Sequence, residues 1–240
     1  MGVRKASRKP RYEETNNNVV EFSTYKKKRQ VSVLPRNKNQ EQYMIKILDY
    51  TKDIVFGIGP AGTGKTLIAV KLGVKLLKEG AVERIVITRP AVSADEDLGF
   101  LPGTLEQKMA PWTRPIFDVL REYYSNREIT MMIDEGIIEI SPLAYMRGRT
   151  FKNSFILADE MQNATPNQMK MLLTRIGERS KMVVTGDLAQ ADRLTSNGLL
   201  QFMRQLEGKE LSCIDLVHFT QHDIERHEAV KEVLKIYGDE

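Results

Sequence analysis

The sequence predicts an α/β fold, a parallel sheet flanked by helices, and three observations predict it. Apolar runs of strand length alternate with segments of helical periodicity. The first of these strands, residues 53–58, enters a glycine-rich loop that opens into the helix-like Leu67-Ile68-Ala69-Val70-Lys71-Leu72. A later apolar strand, Ser154-Phe155-Ile156-Leu157-Ala158, ends in two carboxylates, Asp159 and Glu160. Strand, helix and strand in succession imply parallel pairing through crossover helices, and ligands of such sheets gather at the carboxyl ends of the strands.

The loop Gly59-Pro60-Ala61-Gly62-Thr63-Gly64-Lys65-Thr66 matches G-x-x-x-x-G-K-[ST] between a strand and a helix, the context of a phosphate-binding P-loop. Its glycines let successive N–H groups point into one concavity, and the helix N-terminus adds partial positive charge. Lys65 is expected to reach the β- and γ-phosphates, and the Thr66 hydroxyl to ligate Mg²⁺. Shortly before the strand, Gln40 offers an amide that donates and accepts at once, the pattern of an adenine edge.

At 240 residues the chain suits one α/β domain, residues 37–240, preceded by a tail. The tail, residues 1–36, carries ten Lys/Arg against three Glu, so its +7 outweighs the whole chain's +4 and leaves about −3 for the remainder. Few apolar anchors in it predict disorder, serving either as a salt-sensitive hold on RNA or DNA phosphates or as a solubilising leader. There is no run of membrane-spanning length and no secretory signal. With one cysteine, Cys213, there is no internal disulfide framework, and a reducing cytoplasm is expected. Cys213 itself lies in an apolar run and reads as a buried bystander.

In chain order, residues 44–48 have amphipathic helical spacing, and the helix after the P-loop stops near Lys78 before Gly80. A second strand, 84–88, leads to Arg89, expected on the working face as a phosphate or nucleic-acid contact, or else in a structural ion pair. The acidic Asp95-Glu96-Asp97 and Leu101-Pro102-Gly103 belong to a long loop. Residues 104–124 are helix-like but carry Pro111 and Pro115, which predicts two shorter helices. Trp112 within them either stacks a base or fills the core. A short strand, 137–140, is followed by an exposed loop whose Arg147 and Arg149 are available to phosphates or a neighbouring subunit.

Next comes the strand ending in Asp159-Glu160. Asp159 is placed to hold the Mg²⁺ shell and Glu160 to polarise a water for attack on the γ-phosphate. A small-molecule kinase does not need that base, whereas a hydrolase does. Thr165-Pro166 reads as N-cap and N1 of a helix over 168–176 that carries Thr174-Arg175 near its end. The strand 181–185 ends in Gly186-Asp187-Leu188-Ala189-Gln190, where the Gln190 amide can sense the γ-phosphate. A helix near 199–206, a strand 213–219 and a final helix to Tyr237 close the chain. His218, His222 and His227 lack convergent partners at metal-site spacing, so no transition-metal site is expected. Arg226 is either an arginine finger, in its own or the adjacent subunit, or a surface charge.

Together these blocks resemble the PhoH (phosphate-starvation-inducible) ATPase family over roughly 37–237. The resemblance is carried by Gly59 through Thr66, Thr88-Arg89-Pro90-Ala91-Val92, 98–103, 139–150, Asp159-Glu160-Met161-Gln162-Asn163, 173–177, Gly186-Asp187 with Gln190, and 223–227. It implies a RecA-like core related to superfamily 1 helicases, ATP hydrolysis with Mg²⁺, ring oligomers of hexamer type, and a link to RNA. The usual Leu-Asp-Glu-Ala-Gln-Asn stands here with Ala158 and Met161, Ala189 replaces a hydroxyl residue, and Arg193 an apolar one. Some relatives carry a PIN nuclease domain ahead of the ATPase; residues 1–36 are too short for one, and no nuclease activity is expected.

The sequence therefore points to an ATPase acting on RNA or single-stranded DNA. Gln40 recognises adenine, the P-loop holds phosphates, Thr66 and Asp159 hold Mg²⁺, Glu160 activates water, Gln190 senses the γ-phosphate, and Arg175 or Arg226 is the finger. The alternatives are a nucleotide-dependent assembly switch without strand work, and a small-molecule kinase, which Glu160 disfavours.

Overall fold

The computed structural model describes residues 30–90, 105–190, 197–226 and 228–237. The acidic loop, Arg193, His227 and most of the basic tail lie outside these, as does the Trp112 side chain. Six parallel strands form one sheet in the order β3-β2-β4-β5-β1-β6. They are β1 (Ile54–Ile58), β2 (Arg84–Thr88), β3 (Ile138–Ile140), β4 (Ser154–Ala158), β5 (Lys181–Gly186) and β6 (Ile214–His218). One strand, β5, separates the P-loop strand β1 from β4, which carries the carboxylates, and this is the RecA-like arrangement expected.

Strand side chains alternate between two cores, as the period of two requires. Val55, Ile85, Ile87, Phe155, Leu157 and Val183 face one side, while Phe56, Val86, Ile156, Met182 and Val184 face the other. Both faces are covered, which is why β1, β4 and β5 read as continuous apolar runs rather than alternating ones. The first face takes α1 (Lys38–Leu48), α2 (Lys65–Lys78), α3 (Leu105–Arg121) and α4 (Asn126–Asp134). The second takes α5 (Pro166–Leu173) and α6 (Gly198–Leu206). A last helix, α7 (Glu228–Tyr237), ends the described chain.

Four expectations change. The helix through Pro111 and Pro115 is not broken in two; α3 is continuous, and α4 is a further helix closed by a Ser125/Glu128 capping box. Each interior proline costs about 3 kcal/mol. Burial of Ile116, Val119 and Leu120 in the first core contributes about 1.5–3 kcal/mol each, enough to offset it. Cys213 is exposed, because β6 is an edge strand that begins only at Ile214. The packed domain takes in residues ahead of 37: Val31 and Val33 pack on the first core, and the Arg36 N–H donates to Gln40. Arg149 is not free for phosphate. Glu139 engages both ends of its guanidinium, which lies 4.6 Å from the Phe151 ring centroid.

Candidate nucleotide site

The P-loop leaves β1 at the carboxyl edge of the sheet, and two backbone requirements shape it. Gly64, the N-cap of α2, adopts φ 82°, a left-handed conformation that L side chains rarely take. A Cβ on Gly59 would collide with the carbonyl of Phe219, which follows β6. Lys65 is buried, its Nζ donating to the carbonyls of Gly59 (2.7 Å) and Pro60 (2.6 Å) and to Thr63 Oγ1 (3.2 Å). Desolvation lowers its pKa, opposed by the negative charges of Asp187, Glu160 and Asp159. The loop thus holds one cation among three carboxylates.

Those carboxylates come from neighbouring strand ends. Asp159 Oδ1 accepts from Thr66 Oγ1 at 2.7 Å and from Thr185 Oγ1 at 2.5 Å, so hydroxyls from α2 and β5 converge on one oxygen. Thr66 and Asp159 form a pair of hard oxygen donors within bonding reach of one centre, and this fits Mg²⁺. Glu160 sits at φ 54°, ψ 40°, a conformation that costs a non-glycine residue about 1–2 kcal/mol and turns its carboxylate out of line with the strand. Gln162, 2% exposed, bridges two strand ends: its Nε2 donates to Glu160 Oε2 (2.5 Å) and its Oε1 accepts the Asp187 N–H (3.1 Å). After β5 a short 3-10 turn, Leu188–Gln190, brings Gln190 to the same cleft.

This cleft, of about 330 Å³, is lined by loop residues Ala61, Gly62, Gly64, Lys65 and Thr66, with Glu160, Asp187 and Gln190 opposite. Pro115, Ile116 and Val119 of α3 give it an apolar wall. Behind the loop, Gln40 is 4% exposed, donating to the Thr63 carbonyl (3.1 Å) and accepting from the Arg36 N–H (2.9 Å). The donor braces the loop and the acceptor holds the segment ahead of α1, which leaves one donor and one acceptor position of the amide unused by these two bonds.

A second brace comes from the end of the domain. The Glu225 N–H donates to the Gly62 carbonyl (3.1 Å), and Asp223 Oδ2 accepts from Asn39 Nδ2 (2.8 Å) and the Thr220 N–H (2.8 Å). Burial pushes the Asp223 carboxyl up, but bonds from Thr220 and Asn39 outweigh this and hold it below the usual carboxylate range. Arg226 follows on this segment, exposed and next in sequence to the residue that touches the loop.

Arg175 lies elsewhere. Its carbonyl accepts the Phe151 N–H ahead of β4, at the amino edge, and its guanidinium donates to the carbonyls of Met171 (3.2 Å) and Arg149 (3.1 Å). Within its own subunit it stands at the wrong end of the sheet to meet a phosphate in the cleft. Arg89, just past β2, is half-buried at the carboxyl edge. Sequence reasoning assigned no role to Thr185, Gln162, Asp187 or the α3 wall. For Thr185 the missing information was the strand order, which alone places β5 between β1 and β4.

The chain is similar both to solved structures and to curated proteins. Among solved structures, the Pif1 helicase from Candida albicans aligns over 86% of this chain and 44% of its own at 11% identity, with a TM-score of 0.41. The Sulfolobus solfataricus SWI2/SNF2 ATPase core, solved with dsDNA, aligns over 82% and 48% at 12% identity, with a TM-score of 0.45. Curated relatives are much nearer. The PhoH-like protein of Bacillus subtilis (strain 168) is 46% identical over 77% of this chain and 58% of its own length. That of Synechocystis sp. is 44% identical over 82% and 60%, and protein PhoH of Escherichia coli (strain K12) is 40% identical over 86% and 58%. The chain thus spans about three-fifths of the length of the curated relatives it matches. The family model described as PhoH-like protein matches residues 32–238, which takes in the P-loop, the carboxylate strand and the clamp behind them: the chain belongs to the PhoH-like family, with the core of a P-loop NTPase.

Proposed function

We propose that the chain is a Mg²⁺-dependent ATPase that works on RNA or single-stranded DNA as a ring-forming homo-oligomer. The observation that carries the hydrolytic reading is the sharing of Asp159 between Thr66 and Thr185, with Glu160 and Lys65 lining one cleft. Mg²⁺ held by Thr66 and Asp159 would neutralise phosphate charge. Lys65 exchanges loop carbonyls for β- and γ-phosphate oxygens. Glu160, aimed by Gln162, takes the proton of the attacking water, and Gln190 reads the presence of the γ-phosphate. Gln40 is left with one donor and one acceptor for adenine, and the α3 wall excludes bulk water from the reacting end. Arg226, next in sequence to Glu225, whose N–H meets the loop, is the finger, while Arg175 can serve only a neighbouring copy. Action on nucleic acid is supported by the ten Lys/Arg of residues 1–36.

Replacing Glu160 with Gln should leave ATP affinity within a few-fold and lower turnover by about 10²–10⁴-fold, the usual share of a general base. Phosphate release without an acceptor is the readout, and retained turnover would refute the assignment. A second reading, an assembly switch without strand work, is favoured by the exposed apolar residues Val230, Val233, Ile236 and Tyr237 on α7. If ATP changes oligomer size while RNA and single-stranded DNA leave the ATPase rate unchanged at low salt, this second reading prevails.

A further inference from the structure

Three cations unused by the cleft gather on the other face of the sheet. An open groove of about 800 Å³ runs between the 3-10 turn Leu143–Met146, with the loop that follows it, and α5. Arg147, Lys170 and Arg175 line it, together with the amides of Asn167 and Gln168, and no carboxylate is among its lining residues. Arg147 and Lys170 are exposed, and the adjacent Arg149 is withheld from the groove by Glu139. Tyr145, on the turn that forms the rim, is 64% exposed. The eight residues of α5 span about 12 Å, the length of three or four stacked nucleotides.

A cationic track beside an open ring is the chemistry of a flexible polyanion carrying flat bases. An acidic protein surface would pair with the cations but leave the ring without use. We infer that this groove binds single-stranded nucleic acid, with phosphates along Arg147, Lys170 and Arg175 and Tyr145 as a stacking platform. The inference rests on the nucleic-acid reading above and gives it a location. It also supplies a route for coupling: only Ala164 and Thr165 separate α5 from the turn Met161–Asn163, which contains Gln162 and follows Glu160. A change at the hydrolytic end reaches one wall of the groove through a single short segment.

The test is fluorescence anisotropy of the full chain with a labelled oligouridylate of about 15 nucleotides, a length within the range of single-strand sites, titrated across salt. The variants are Arg147→Ala/Lys170→Ala, Tyr145→Ala and, as a control, Arg127→Ala on α4. Wild type should bind with steep salt dependence. The double variant should bind at least about 10-fold more weakly, with its log–log salt slope flattened by about 1.4, or 0.7 per lost phosphate contact. Tyr145→Ala should weaken binding by about 10-fold at unchanged slope, the signature of stacking. Basal ATPase activity and the control should not move. Unchanged binding by the double variant, with wild type binding, overturns the groove alone. No binding by wild type at low salt overturns the nucleic-acid reading as well. A fall in basal ATPase activity with RNA affinity intact would assign the cations to the nucleotide of a neighbouring copy, and overturn the proposal.

Discussion

Two buried lysines stand at opposite edges of the same sheet, each only 8% exposed. Lys65 at the carboxyl edge donates to the carbonyls of Gly59 and Pro60; Lys181 at the amino edge donates to those of Asp49 (2.6 Å) and Lys52. Burial lowers both pKa values, Lys181 to about 8. What differs is the surroundings. Lys65 shares an open cleft with Glu160 and Asp187, and its hydrogen bonds are to a loop whose oxygens phosphate can replace. Lys181 ties the end of α1 to the start of β5, where replacement would leave backbone carbonyls unpaired. Equal burial thus sets one lysine beside an open cleft and commits the other to tying backbone segments together.

The largest test of that contrast is Lys65→Ala. It removes the charge that the proposed mechanism sets against the β- and γ-phosphates and should lower turnover by about 10²–10³-fold or more, with little change in Tm. Comparable activity in the variant would erase the distinction between the two edges. Next in size is Gln162→Glu. A second carboxylate against Glu160 should raise the pKa of the base and shift the acid limb of the pH–rate profile to higher pH, with turnover down about 10-fold at neutral pH. An unshifted profile would mean Gln162 does not orient Glu160.

At the amino edge, Lys181→Met should leave turnover alone and change the pH dependence of stability. The folded-state pKa of Lys181, about 8, lies below its ordinary 10.5, so the folded protein binds this proton more weakly than the unfolded chain. The cost of burying the charge is fully present below pH 8 and fades as pH rises towards 10.5. Wild type should therefore gain stability relative to the variant across that window, measured by denaturant melts at several pH values; parallel curves would contradict it. The smallest expected effect is Asp223→Asn. The bonds it accepts are worth about 1–3 kcal/mol, so Tm should fall by a few °C. Because the folded Asp223 pKa is depressed, its stabilisation is present at neutral pH and lost as pH falls through that lowered value. The gap between wild type and variant should close in acid.

Local chemistry was legible in the chain wherever one short segment carries it. The glycine loop, the capping pair Thr165-Pro166 and the paired carboxylates after β4 all stand where their spacing placed them. Failures came where distant partners decide. Arg149 looked available until Glu139 of β3 met it, and two prolines looked like a break until α3 had a core face to bury. Arg175, close to the carboxylates in sequence, is carried by α5 to the opposite edge.

By itself, then, the sequence determined the α/β class, the phosphate loop and the pair of carboxylates that closes β4, because backbone conformation and hydroxyl or carboxylate chemistry are properties of a few consecutive residues. Tertiary structure alone decided that Thr185 shares Asp159 with Thr66, that Gln162 joins Glu160 to the end of β5, and which arginine faces which edge. A parallel sheet pairs strands far apart in the chain, so the neighbours of a strand end are set by crossover order, which no local window contains.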